Sequence, residues 1–172
     1  MGVGLDTSDD IRRFLVQLNA LPGAGGFALP TEAEWEYACR AGSQRTYCFG
    51  DDPGAGDGPG ALEQYAWTKR NSRRQMQRVG LLRPNAWGLH DMHGLVYETM
   101  RDDFRVFRRG EVVDPVGPLK GKRIVARGGC WSRWPIDERR PWQEHFRCAS
   151  RQVFEKGPRC SIRLAWYPEG QP

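Results

Sequence analysis

The sequence predicts an α+β domain with a small antiparallel sheet and long loops, on three observations. Both segments with helical periodicity lie in the first quarter of the chain. Alternating or β-branched segments come later, with no βα alternation joining them. Composition is the third: 21 glycines and 12 prolines accompany 7 tryptophans, favouring short elements, frequent turns and aromatic anchors.

"SDDIRRFLVQLNALPG" places Ile11, Phe14, Leu15 and Leu18 at i, i+3, i+4 and i+7, with Ser8 or Asp9 as cap and Pro22-Gly23 as the stop. "ALPTEAEWEYACRAG" follows. Thr31 with Glu34 three residues later is a capping box, Trp35, Ala38 and Cys39 share the buried stripe, and Gly42 sits at the C-cap. "GDDPGAGDGPG" from Gly50 is a loop with solvated aspartates. "LVYETM", "RVFRRGEVVD", "KRIVARGG" and "SIRLAWY" are the strand candidates, with Gly and Pro between them. At 172 residues this is one domain, 1–172, large enough for a core of its own.

Composition excludes several classes. The net charge of +5 comes from arginines scattered among acids, and no zinc-finger spacing, phosphate loop or recognition helix accompanies it, so nucleic acid is not the expected partner. No stretch approaches the roughly 18 apolar residues of a membrane span. "MGVGLDTSDDIRRFL" has no basic region followed by an apolar run, so no signal peptide is read; the expected compartment is the cytoplasm if the chain is complete. Five cysteines without C-x-x-C spacing argue against zinc and leave one disulfide open, with at least one thiol unpaired.

The chemistry concentrates in "NAWGLHDMHGLVYE", residues 85 to 98. Gly94 permits a tight turn, after which Val96, Glu98 and Met100 share one strand face and Leu95, Tyr97 and Thr99 the other. Glu98, flanked by apolar neighbours, costs several kcal/mol to bury unless it finds a cation or donors. A turn at Gly94 folds Asp91 back towards Glu98, and two carboxylates with backbone carbonyls suit calcium. Pairing of Glu98 with one of the many arginines is the alternative. His90 and His93, as H-x-x-H in a turn, read as surface or packing residues, because zinc hydrolases space their histidines i, i+4 on a helix. With no serine in a nucleophile elbow and 3 histidines, a catalytic triad has little support.

Several blocks together, "LPTEAEWEYACRAG", "PNAWGLHDMHGLVYE", "DPVGP", "RIVARGGCW", "RCASR" and "IRLA", resemble in this order the formylglycine-generating enzyme (sulfatase-modifying factor) family, from about Asp9 to Trp166. The resemblance implies a variant of the C-type lectin fold, loop-rich and pinned by aromatics and calcium. It implies calcium ligands at the side chains of Asp91 and Glu98 and the carbonyls of Gly94 and Val96. A second calcium site of the family falls near Asn71, where Ser72 to Gln77 offers no carboxylate. The resemblance also joins Cys39 to Cys148, as a disulfide or, in a reducing cytosol, as adjacent thiols.

Departures from the family pattern shape the functional expectation. Active members carry two close cysteines after the "RGGSW"-like block, which bind copper and oxidise a sulfatase cysteine to formylglycine. Here no cysteine lies between Cys130 and Cys148, so the soft two-coordinate copper site is not expected. Sulfoxide-forming relatives draw iron histidines from an extra helical domain that this chain has no room for. Binding relatives, including the variable proteins of diversity-generating retroelements, present ligand surfaces from the C-terminal segment. The run from Trp131 to Arg151 offers Trp131, Arg133, Trp134, Trp142 and Arg147 for such a surface, residue types that dominate hot spots; ordinary packing of the loops is the alternative. Family domains begin with strands that this sequence lacks, so a partner chain or an upstream segment is expected to cover the exposed edge. The expected function is therefore a non-catalytic, calcium-stabilised module binding a protein or small molecule. The alternative is an O2-dependent formylglycine-generating oxidase or a related metal-dependent oxidative enzyme, with Cys130 as residual thiol.

Overall fold

The computed structural model describes residues 8–54, 60–107, 110, 112–119, 121, 123–132, 141–155 and 160–168. The elements are α1 (Ser8–Asn19), β1 (Phe27–Ala28), α2 (Glu32–Arg40), β2 (Glu98–Asp103), β3 (Ile124–Arg127), β4 (Gln152–Phe154) and β5 (Ala165–Trp166), with 3₁₀ turns at Leu62–Gln64 and Trp142–Phe146. The expected α+β class with small antiparallel sheets is what the chain adopts. It divides into two compact units of interleaved segments: Met1–Glu34 with Glu98–Ala126 and Gln152–Pro172, and Trp35–Tyr97 with Arg127–Arg151.

In the first unit, β1 pairs antiparallel with β5, Phe27 opposite Trp166 and Ala28 opposite Ala165. Asn19, the last residue of α1, accepts from the Phe27 N–H at 2.9 Å and donates to its carbonyl at 2.8 Å, fixing the helix to the strand. Gly26 is required beside this pair: its φ is +76°, and a Cβ would stand 2.0 Å from the Tyr167 carbonyl oxygen. A second sheet has the order β2-β3-β4, with Val125 opposite Val153.

The N-terminus of α2 carries the capping box the sequence predicts. Glu34 accepts from the Thr31 N–H at 2.7 Å, and the Glu34 N–H donates to the Thr31 hydroxyl at 3.2 Å. Buried Asp102 adds a charge there, accepting from the Glu32 N–H at 2.7 Å where the helix dipole favours an anion.

The second unit is built on aromatics. Tyr47, Leu62, Ala66 and Phe146 form its core, with Phe49 and Trp142 packed against them, and Phe49 stacks on Tyr65 at 4.6 Å. Asn85 closes the other end of α2: its amide donates to the Ala38 and Cys39 carbonyls, left without helical partners, while its oxygen accepts from the Trp87 and Leu89 N–H groups. Past the helix, Ala41 and Gly42 take φ of +47° and +86°, the left-handed termination expected at this glycine.

The strand expectations need correction. "LVYETM" does not run as one strand: Leu95 has φ +71°, Leu95 and Val96 lie in bends, and the strand starts at Glu98 and continues to Asp103. Both faces around it are buried, Tyr97, Glu98, Thr99 and Met100 alike, so its alternation separates no wet face from a dry one. "RVFRRGEVVD" forms no strand among its described residues, and Val106, Phe107, Val112 and Val113 are exposed. In "SIRLAWY" only Ala165–Trp166 is a strand. Gly94 serves closeness more than a turn torsion, since a Cβ would meet the Trp67 carbonyl oxygen at 2.6 Å.

Candidate metal centre

Asp91 sits in the second unit with φ +61° and is almost completely buried. Its Oδ2 accepts from the Gly80 N–H at 2.7 Å, while its buried Oδ1 has no hydrogen-bond partner. An orphaned, desolvated carboxylate oxygen is expensive, and a hard cation or an ordered water satisfies it. Gly94 and Val96 belong to the same unit as Asp91. Glu98 lies in the other unit, where the Arg163 guanidinium grips it with both forks, Nε to Oε2 and Nη2 to Oε1 at 2.8 Å each. The arginine partner that the sequence left open is therefore the one Glu98 has here. At Asp91 one buried carboxylate oxygen is open to a cation; at Glu98 the carboxylate is paired with Arg163, which a cation would have to displace.

Near the expected second calcium site, Asn71 organises a turn instead. Its oxygen accepts from the Thr68 N–H at 2.7 Å and its amide donates to the Glu63 and Ala66 carbonyls.

A second cluster lies within the second unit. Cys39 from the buried stripe of α2, His93 and Cys148 are all essentially inaccessible, and their ligand atoms lie within 4.8 Å of one another. The two cysteines stand together as free thiols. His93 Nδ1 is 2.7 Å from the Phe146 carbonyl oxygen, so that nitrogen carries the proton; Nε2 accepts from the Cys48 N–H at 3.2 Å and lies 3.9 Å from the Cys39 sulfur. The hydrogen bond from Cys39 pulls the Cys148 thiol down to about 5, and the same contact, with burial, pushes Cys39 well above the ordinary thiol range. Burial presses His93 down, but Cys148 and Cys48 outweigh it and raise it to about 9. The sulfurs thus call for a positive charge at the ring, while the Cys48 amide calls for a bare Nε2.

H-x-x-H spacing sets His93 aside in the sequence; the signal that locates it is three-dimensional, since its partners Cys39 and Cys148 lie 54 and 55 positions away. His90 turns to the Leu82 carbonyl at 2.7 Å. Cys130 stands apart from this cluster, 3.2 Å from the Ser132 hydroxyl.

Of the binding-surface residues, Arg133 and Trp134 lie outside the described residues. Trp131 is half-buried, its N–H donating to the Leu95 carbonyl at 3.0 Å. Trp142 packs edge-on against Phe146 at 5.9 Å, with the Arg70 guanidinium 5.7 Å from its ring centre. Arg147 is held by the Glu144 carboxylate at 2.9 Å. Packing thus accounts for Trp142 and an intrachain ion pair for Arg147, leaving half-buried faces of both in view.

Known proteins place this arrangement. Residues 8–165 match the model of the sulfatase-modifying factor enzyme 1-like domain. A formylglycine-generating enzyme of Streptomyces coelicolor is 36% identical over 117 residues, 62% of this chain and 36% of that protein. The serine/threonine-protein kinase pkn1 of Chlamydia pneumoniae is 33% identical over 147 residues, 78% of this chain and 20% of the kinase. Among solved structures, Treponema denticola variable protein 1 superposes with a TM-score of 0.67 at 31% identity, covering 85% of this chain and 49% of that one. PvdO from Pseudomonas aeruginosa gives 0.67 at 25%, covering 96% and 58%. The chain spans about a third or less of the length of these two curated relatives. With the family model matched over nearly its whole length, the chain belongs to the sulfatase-modifying factor enzyme 1-like domain family.

Proposed function

We propose that this domain is a non-catalytic binding module, stabilised by calcium at Asp91, with a ligand surface on the segment from Trp131 to Arg151. The observation that carries the non-catalytic part is chemical: this segment holds Cys148 alone, and that thiol is completely buried beside Cys39 and His93. A thiolate without access to substrate cannot serve as an oxidase ligand that exchanges with a peptide thiol. For calcium, the support is the orphaned Asp91 Oδ1; a share for Glu98 requires that Arg163 let go.

Purified protein incubated with a C-x-P-x-R peptide, Cu(I), oxygen and a thiol reductant is expected to leave the peptide mass unchanged. Thiol-to-aldehyde conversion that Cys130→Ser abolishes would restore the oxidase. For calcium, adding the ion to the metal-stripped chain is expected to raise the melting temperature; a site at a hundredfold excess over Kd adds roughly 2.7 kcal/mol. Identical melts in calcium and chelator would remove the ion from the proposal.

A further inference from the structure

We infer that Cys39, His93 and Cys148, completed by Cys48, form a buried site for a thiophilic divalent d10 cation, zinc. The residue types are those of a structural Cys₃His centre. Sulfur at about 2.3 Å and nitrogen at about 2.0 Å from a tetrahedral zinc stand roughly 3.5 Å apart. The Cys39 sulfur and Nε2 are 3.9 Å apart, so a few tenths of an ångström of contraction close that edge. The pairs that Cys148 makes with Cys39 and His93 fall within 4.8 Å.

The surroundings are arranged as zinc sites need. A ligating histidine donates its other ring N–H to a carbonyl or carboxylate, which fixes the tautomer; here Nδ1 meets the Phe146 carbonyl and Nε2 faces the sulfurs. Tyr47 and Phe49 hold the ring edge-on from 5.8 and 5.6 Å, so its orientation is set without metal. Arg127 is completely buried, donates to the Cys148 carbonyl at 3.0 Å and shares Glu36 with Arg40.

Cys48, half-buried and held to His93 through its backbone N–H at 3.2 Å, would give that bond up and turn its thiol inwards to supply the fourth ligand. C-x-x-C spacing is missing because the ligands come from a helix, two loops and the turn after Trp142–Phe146.

The test is cobalt titration of the reduced, metal-stripped full chain, followed by zinc competition. One cobalt per chain is expected, with a near-ultraviolet thiolate-to-cobalt charge-transfer band that zinc bleaches. Cys148→Ser is expected to lose the band and Cys130→Ser to keep it. Because Cys148→Ser removes a core contact, His93→Cys is the second variant: it preserves the ligand count, and the band is expected to persist and intensify. A folded, reduced wild type that takes up no cobalt would overturn the assignment. So would a band that survives Cys148→Ser, or a Cys39–Cys148 disulfide recovered from protein alkylated at cell lysis, since that bond consumes two of the ligands.

Discussion

Arg163→Ala isolates what holds β2 in place. Glu98 is 7% exposed, and its carboxylate accepts two 2.8 Å bonds from one guanidinium. Removing the arginine takes both of these bonds from a buried anion, and breaking a fully buried ion pair costs about 3–5 kcal/mol. The Arg163 side chain is 26% exposed, so water partly replaces it and the lower end, about 3 kcal/mol, is expected. For a chain of this size that lowers the melting temperature by about 6–12 °C. The measurement is thermal and urea unfolding of wild type, Arg163→Ala and Glu98→Gln/Arg163→Ala in chelator. The double variant buries no charge and is expected to recover at least half of the loss. Calcium added to Arg163→Ala asks whether the freed carboxylate accepts the ion, and recovery there alone would place Glu98 in the ligand set. A loss under about 1 kcal/mol, or no recovery in the double variant, would refute the picture of a desolvated pair.

Two further outcomes follow from the ends of α2. Asn85→Ala removes the donor to the Ala38 and Cys39 carbonyls and the acceptor for two N–H groups, and unfolding is expected to become easier by about 2–3 kcal/mol, read from denaturant midpoints at constant slope. At the N-terminus, burial acts to raise the Glu34 carboxyl, but the Thr31 backbone bond and the Tyr167 and Thr31 hydroxyls outweigh it and hold it below 4.5. A group depressed on folding stabilises above its unfolded value, so this contribution is present above pH 4.5 and fades as the solution is acidified below it; Thr31→Ala is expected to cost about 1 kcal/mol at neutral pH and to flatten that acid limb.

Helices were legible because their signals are local. The i, i+3, i+4 spacing of α1 and the Thr31–Glu34 box of α2 act within one turn, and both elements form where those signals lie. The strands were not: β1 and β5 have two residues each and β4 three, too few for a period of two to show. β2 was displaced because Leu95 adopts a left-handed conformation that its side chain gives no hint of. Long-range chemistry divided the same way. Asp91 and Glu98 stood out as carboxylates among apolar neighbours. The Arg163 that neutralises Glu98 lies 65 positions away, and nothing distinguishes it from the other arginines. The role of His93 was hidden for the same reason, although Cys39 on a buried helical stripe had already marked one side of its site.

Interleaving of the two units has a consequence for the order in which the chain folds during synthesis. The chain passes from one unit to the other at residues 34, 97, 126 and 151. The unit bearing Cys39, His93 and Cys148 holds all its residues once Arg151 has emerged from the ribosome. The other closes only when β5 arrives to pair with β1, and the Trp166 indole reaches the Gly25 carbonyl across 141 positions. Contacts of such separation make folding slow, because a long loop must close before any of them contributes. Until then β1 waits with an unpaired edge, the state in which a nascent chain is most open to pairing with a neighbour.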